Sequence, residues 1–208
     1  MPRLKRFSYA LAGTVVLLAA GGLLTFHEGL PLPQKTNSLI TPSDEIGGPF
    51  HLIKGDGTEV TEADFIGKPT LYYFGFTFCP EVCPTTLYEM QGWIEALGSD
   101  SEKLNYVFIT VDPERDTPEL MSDYVSAFDE KITPLSGTPE EIAKVLAEYH
   151  VYAKKVPLEN GDYTMDHTAV VYLMNAQNKF VGTIGYGEDQ ASVLAKLRAL
   201  IATGAPKA

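Results

Sequence analysis

The chain contains two cysteines, Cys79 and Cys83, separated by three residues. A proline follows each of them, and an apolar stretch precedes them. Two thiols this close can form a redox couple or bind a soft metal ion together. A purely structural disulfide explains the pair less well, because a disulfide that closes so short a loop removes little entropy from the unfolded chain and so stabilises the fold little. The spacing therefore predicts reactive thiols and leaves redox and metal chemistry both open.

The residues around the cysteines predict a strand followed by a helix. Residues 70–76 are uncharged and rich in aromatic side chains, which is typical of a strand covered on both faces. Pro84 is favourable as the first residue of a helix and disfavours a helical conformation at Cys83. We therefore expect a helix over 84–97 capped by Cys83, with both thiols on the preceding loop. The positive end of a helix stabilises a thiolate, the form that attacks disulfides or binds metal.

The N-terminus predicts export of the remaining chain. Residues 1–26 begin with three basic side chains and continue into an uncharged stretch, Phe7–Phe26, long enough to cross a bilayer. We expect a retained single-pass anchor in a bacterial inner membrane, with the C-terminal part in the periplasm. A cleavable signal peptide is the alternative, with a poor cleavage site at 19–21. Residues 27–45 predict a flexible linker, and 46–208 predict one domain.

The charge balance limits the classes of partner. Twenty-seven acidic and sixteen basic residues give a formal net charge of −11. Such a chain is repelled by nucleic acid and by anionic lipid surfaces. We therefore expect no nucleic-acid partner, and a membrane association that depends on the N-terminal anchor.

Alternating strands and helices follow the linker. A hairpin over 49–60 and a capped helical turn over 61–65 precede the strand at 70–76. The further expected elements are strands at 106–111, 168–174 and 180–184, and helices at 117–128, 138–149 and 189–202. This order predicts an α/β domain whose central β-sheet is flanked by helices, with functional groups at the strand ends.

One of the four histidines is a candidate metal ligand. His167 directly precedes the apolar stretch 169–174, so its ring should lie at the mouth of a strand. An ordinary loop histidine is the alternative, since polar side chains are common at strand ends. The other three have simpler explanations: His27 lies beside the anchor, His51 on a strand surface and His150 at a helix end.

Taken together, these motifs resemble the Sco/SenC family of copper-binding assembly factors for cytochrome c oxidase. The family's Cys-Pro-x-x-Cys-Pro loop is found at 79–84, and its Asp-His-(Ser/Thr) motif at 166–168. Residues 75–78, 85–87 and 110–118 also match, and the likeness extends from about residue 46 to the C-terminus.

The resemblance implies a thioredoxin-like fold with a central mixed sheet, and a copper site formed by Cys79, Cys83 and His167. Two thiolates and an imidazole suit Cu(I) in a trigonal site and, with oxygen ligands, can also hold Cu(II). Structural zinc would normally require a fourth protein ligand. Asp112 and Asp116 belong to an acidic loop that either supports the site, forms a docking surface or is simply solvated.

The function implied is that of a copper chaperone, which is not primarily an enzyme. It would deliver copper to the binuclear copper site of cytochrome c oxidase during its assembly. Its partners would be the copper-bearing oxidase subunit and a second periplasmic copper chaperone or a thiol reductant. Two alternatives stay open: a copper or redox sensor, and a thiol–disulfide oxidoreductase that uses Cys79 and Cys83 as a redox disulfide to reduce the copper-ligand cysteines of its target. The Cys-x3-Cys spacing differs from the Cys-x2-Cys of thioredoxins and argues against the oxidoreductase.

Overall fold

A computed structural model describes Ser43, residues 45–159 and residues 161–204. The predicted anchor at 1–26 and nearly all of the predicted linker lie outside these residues. Within the described ranges, no helix combines the length and apolar character needed to span a bilayer. Ser43, three residues before the domain start expected at residue 46, forms an isolated antiparallel bridge with Phe180.

The described residues form nine strands and four α-helices. The strands are β1 (His51–Ile53), β2 (Glu59–Thr61), β3 (Thr70–Gly75), β4 (Asn105–Thr110), β5 (Ile132–Leu135), β6 (Ala153–Pro157), β7 (Tyr163–His167), β8 (Val170–Met174) and β9 (Phe180–Gly185). The helices are α1 (Val82–Leu97), α2 (Pro118–Ser126), α3 (Pro139–Glu148) and α4 (Gln190–Gly204), and 3-10 turns span Glu62–Phe65 and Gly98–Lys103.

Five strands form the central mixed sheet, in the order β5-β4-β3-β8-β9. β3 runs parallel to β4 and antiparallel to β8, so it lies in the middle of the sheet. All six of its residues are buried, as expected of a strand covered on both faces. The predicted central sheet flanked by helices is therefore confirmed.

Side chains of β3 alternate between two packed layers. Tyr72 meets the β1–β2 region and the end of α3 through T-shaped contacts with Phe65 and Tyr149. Tyr73 points to the opposite face and stacks on Phe108 of β4, which in turn contacts Tyr124 of α2. The two layers fix both faces of β3, and therefore the position of its C-terminal end.

The structure departs from the predicted secondary structure in three places. The helix after the cysteines begins at Val82, with Glu81 at its N-cap, so Cys83 lies inside the first turn instead of capping it. Strand β5 and the hairpin of β6 and β7 were not predicted. The exposed residues of β6 lack the apolar alternation that reveals a half-buried strand.

Candidate metal centre

Cys79 lies in the short loop between β3 and α1, and it is partly exposed. The loop turns back on itself through a hydrogen bond from the Cys79 amide to the Phe76 carbonyl, at 3.3 Å. The Cys83 amide, in the first turn of α1, points at the sulfur of Cys79 with a nitrogen–sulfur distance of 3.3 Å. An amide in the first turn has no acceptor within its own helix, so this one donates to the sulfur and favours a thiolate there.

Cys83 is fully buried against the end of β3. The close approach depends on Gly75, because a Cβ at this position would come within 2.8 Å of both the Cys83 sulfur and the Phe108 ring. Real Cβ atoms do not approach other heavy atoms so closely, so a larger residue would displace the helix or the thiol. The glycine thus lets the first turn of α1 pack its thiol directly on the sheet.

His167 reaches the cysteines from a distant part of the chain. It is the last residue of β7 and pairs with Ala153 of β6. Its Nδ1 donates a hydrogen bond to the Thr168 carbonyl at 3.0 Å, which leaves the lone pair of a neutral ring on Nε2. That Nε2 lies 3.5 Å from the Cys83 sulfur. A fixed ring with its free nitrogen facing two thiols is the arrangement that histidine ligands adopt in metal sites.

The Sγ atoms of Cys79 and Cys83 and a ring nitrogen of His167 all lie within 4.8 Å of one another. They are the predicted ligand residues, and the fold brings all three together from a loop, a helix and a strand. The donor set is soft and has three members, so it fits a copper ion better than the four-ligand arrangement of structural zinc.

The two thiols differ strongly in acidity. The pKa of Cys79 is lowered to about 4, chiefly by its hydrogen bond with the Cys83 side chain. The pKa of Cys83 is raised, first by that hydrogen bond to Cys79 and then by burial. The pair therefore shares one proton, which stays on Cys83, and exposes a thiolate on Cys79.

Asp116 holds the loop that carries Cys79. It is fully buried, and it accepts hydrogen bonds from the Thr77 amide and hydroxyl and from the Thr110 hydroxyl. Burial raises the pKa of this carboxyl, although its three donors oppose the shift. Of the interpretations left open for Asp116, a solvated loop residue does not fit this burial, and its carboxylate ties the end of β4 to the loop two residues before Cys79.

Asp112 organises a neighbouring arginine. Its side chain is buried, accepts a hydrogen bond from Arg115 Nε at 2.5 Å and accepts another from the Tyr163 hydroxyl at 2.8 Å. Tyr163 opens β7, the strand that ends at His167. Asp112 therefore connects Arg115 to the strand that carries His167 and does not lie on a solvated loop face.

Arg115 bridges the two halves of the site, a role that sequence reasoning missed. Its guanidinium lies over the rings of Phe78 and Tyr163, 4.7 and 3.8 Å from their centroids. It also donates to the Tyr163 carbonyl at 2.9 Å. Phe78 precedes Cys79, so a single side chain connects the cysteine loop to the histidine hairpin. Its place within the matching segment 110–118 was the signal that could have identified it.

Met165 and His51 are not part of the cluster. Met165 lies two residues before His167 and is partly buried against the core. His51 lies on the surface between Glu59 and Glu141, at 3.1 and 2.9 Å.

Residues 40–202 match the SCO1/SenC family model. The chain belongs to this family. Among curated relatives, the mitochondrial protein SCO1 homolog 1 of Arabidopsis thaliana is 44% identical over 149 residues, which cover 71% of this chain and 45% of the relative. The chain thus spans about half the length of several curated relatives that it matches.

Solved structures of other family members share the fold. ScoI of Bradyrhizobium japonicum, solved with copper bound, is 50% identical, with a TM-score of 0.70 covering 74% of this chain and 99% of the other. BsSco, a member of the Sco family of cytochrome c oxidase assembly proteins in which a disulfide switch was identified, is 20% identical. Its TM-score is 0.65 over 79% of this chain and 98% of BsSco, and this similarity supports only the shared fold.

Proposed function

We propose that this SCO1/SenC protein binds one copper ion through Cys79, Cys83 and His167. We further propose that it delivers the copper to the binuclear copper site of cytochrome c oxidase during assembly. The observation that carries the proposal is the convergence of three soft donors, from separate elements, within 4.8 Å. The copper-bound structure of a relative that is 50% identical supports the choice of metal.

Copper is the cargo, so the site must release it as well as hold it. The proposed transfer is a ligand exchange, in which a thiolate of the acceptor enters the three-coordinate shell and one donor leaves. Cys79 is the partly exposed thiol and His167 is also partly exposed, whereas Cys83 is fully buried. An incoming ligand therefore meets the Cys79 and His167 side of the site first.

The proposed location is the periplasm, with residues 1–26 as a single-pass anchor in the inner membrane. The uncharged stretch Phe7–Phe26 and the basic residues before it support this proposal. An anchored domain would encounter the copper-bearing oxidase subunit at the same membrane. A second periplasmic copper chaperone or a thiol reductant would then supply copper or keep the cysteines reduced.

Copper titration of the full chain tests the site. We expect one equivalent of Cu(I) to bind the reduced protein and none to bind the oxidised protein, because a disulfide offers no thiolate. His167→Ala should weaken binding at least about a hundredfold, since it removes a ligand outright. His51→Ala is the matched control and should bind like the unaltered protein. Tight copper binding by the double variant Cys79→Ala with Cys83→Ala would refute the proposed site.

A thiol–disulfide oxidoreductase is the second candidate function, and the thiolate of Cys79 favours it. With its pKa lowered to about 4, this thiolate can attack a disulfide of the target and release one target thiolate. Cys83 would then lose its proton and attack the mixed disulfide, which frees the second target thiol and leaves Cys79 and Cys83 oxidised. The target gains two electrons and the pair loses two.

His167→Ala separates the candidates, because disulfide exchange does not require the imidazole. If the variant loses copper transfer to the apo oxidase subunit but still reduces the subunit's disulfide, both activities belong to one dithiol. If the unaltered protein binds copper without releasing it to the subunit, a copper or redox sensor replaces the chaperone.

A further inference from the structure

Tyr73 is a fully buried tyrosine in the middle of β3. Among the described residues, its hydroxyl has no partner in hydrogen-bonding geometry. Buried polar groups are nearly always hydrogen-bonded, so an unpaired hydroxyl in the core requires an explanation. Its position beside the metal centre provides one.

The packing around β3 places Tyr73 next to Cys83. Tyr73 and Gly75 are two residues apart and share one face of the strand, and the Cys83 sulfur lies directly over Gly75. The Tyr73 ring stacks on Phe108, with centroids 5.6 Å apart, and the Phe108 ring also borders Gly75. The phenol therefore has little freedom to turn away from the thiol.

Two acceptors lie close enough to influence the hydroxyl, the Thr86 side chain and the Cys83 sulfur. Burial raises the pKa of Tyr73 most, and Cys83 and Thr86 are the side chains next to it that also act on this pKa. The Thr86 hydroxyl donates its own hydrogen bond to the Val82 carbonyl at 2.8 Å. Cys83 is the acceptor whose strength depends on the state of the site, because a neutral thiol accepts weakly whereas a thiolate accepts strongly.

We propose that Tyr73 is a positioning residue whose hydroxyl donates a hydrogen bond to the Cys83 sulfur once that sulfur is a metal-bound thiolate. The inference rests on the proposed copper site. Cys83 is shielded from water, so a buried donor has to replace the solvent that a thiolate would otherwise bind. Cys79 is partly exposed and can be solvated instead.

The consequence is an electronic difference between the two thiolates. A hydrogen bond draws electron density from sulfur, so Cys83 would donate less to the metal than Cys79 does. Hydrogen bonds to a coordinating cysteine tune the reduction potential of copper sites. Tyr73 would therefore favour Cu(I) over Cu(II).

Phenylalanine variants of the full chain test this role. In Tyr73→Phe, we expect the sulfur-to-Cu(II) charge-transfer band to move to longer wavelength and the Cu(II)/Cu(I) potential to fall. Tyr72→Phe is the matched control, because Tyr72 is the preceding residue, is equally buried and also has an unpaired hydroxyl, but points to the opposite face. A merely structural role would change the unfolding midpoint and leave the band in place.

Several outcomes would overturn the inference. An unchanged band and potential in Tyr73→Phe would do so, as would equal shifts in Tyr72→Phe. A shift in Tyr124→Phe alone would assign the donor to Tyr124, whose hydroxyl is also unpaired. If the unaltered protein binds no copper, the proposed function fails instead. The hydrogen bond is then tested with Hg(II), a thiophilic ion, through the sulfur-to-mercury band of the same variants.

Discussion

The two halves of the metal centre are held in different ways. The cysteines lie where β3 meets α1, and Cys83 is part of the buried core. His167 ends a two-stranded sheet that is separate from the central one and is mostly exposed or half-buried. The comparison indicates that the domain core fixes the sulfur of Cys83, whereas the position of the imidazole depends on a few contacts of the hairpin.

The largest expected effect on copper binding comes from the two cysteines, which form the half of the site beside the core. Cys79→Ala and Cys83→Ala should each abolish Cu(I) binding, because one thiolate and one imidazole make too weak a soft site. Their effects on folding should differ. At pH 4, where the Cys79 thiolate adds little to stability, Cys83→Ala leaves a gap in the core and should lower the free energy of unfolding by about 1 kcal/mol, while Cys79→Ala should change it little. Copper titration and urea denaturation measure the two effects. A larger loss of stability for Cys79→Ala would contradict the assignment of Cys83 to the core.

Arg115→Met tests whether the arginine connects the two halves. We expect copper affinity to fall about 10- to 100-fold, because the Tyr163 carbonyl and the Phe78 ring lose their common partner. Stability should also fall, by about 3 kcal/mol, since the buried Asp112 loses its counter-ion.

A second substitution separates these two effects of the arginine. Adding Asp112→Asn to Arg115→Met should restore most of the stability without restoring copper affinity. Arg198→Met, on an exposed face of α4, is the control and should change neither quantity. If affinity and stability recover together, Arg115 acts only through folding.

The acidity of Cys79 predicts how its reactivity depends on pH. Its pKa is lowered from 9.0 to about 4, so alkylation by iodoacetamide should fall only as the pH drops through about 4. In Cys83→Ala the main cause of the shift is gone, and the midpoint should move upward. An unchanged midpoint in this variant would contradict the shared proton.

The same pKa shift has a consequence for folding. Between pH 4 and 9 the folded, reduced protein holds fewer protons on Cys79 than the unfolded chain does, so its stability should rise with pH across this window. The raised pKa of Cys83 acts in the opposite direction only above pH 9, where the unfolded thiol ionises. Urea unfolding at several pH values measures the trend, and oxidised protein, which lacks both thiols, is the control.

The smallest expected effect belongs to His51, the histidine outside the site. Its pKa is raised, first by the hydrogen bond to Glu141 and then by the one to Glu59. The contact therefore stabilises the fold at pH below 6.5, and this contribution should disappear as the pH rises through the raised pKa. His51→Gln should lower the unfolding midpoint slightly at pH 5.5 and not at pH 8, with copper affinity unchanged at both. An equal loss at both pH values would mean that the side chain contributes through packing alone.

The cysteine half of the metal centre, whose residues are close together in the sequence, could largely be predicted. The apolar run at 70–76, the spacing of Cys79 and Cys83 and the proline after each cysteine are enough to place two thiols at a strand-to-helix junction. Their exact placement could not be predicted. The preference of Pro84 for the first helical position placed the start of the helix two residues too late, because proline lacks only an N–H that has no intrahelical acceptor anywhere in the first turn.

The position of His167, which is far from the cysteines in the sequence, depended on tertiary structure. The sequence by itself determined an α/β domain, two reactive thiols and a histidine at a strand end, because these follow from residue type and short-range spacing. Only the folded chain decided that His167 ends a separate hairpin beside Cys83 and that Asp116 and Arg115 support the loops. Those contacts join residues about 40 to 90 positions apart, and a buried hydrogen bond or a stacked guanidinium leaves no periodic pattern in the sequence.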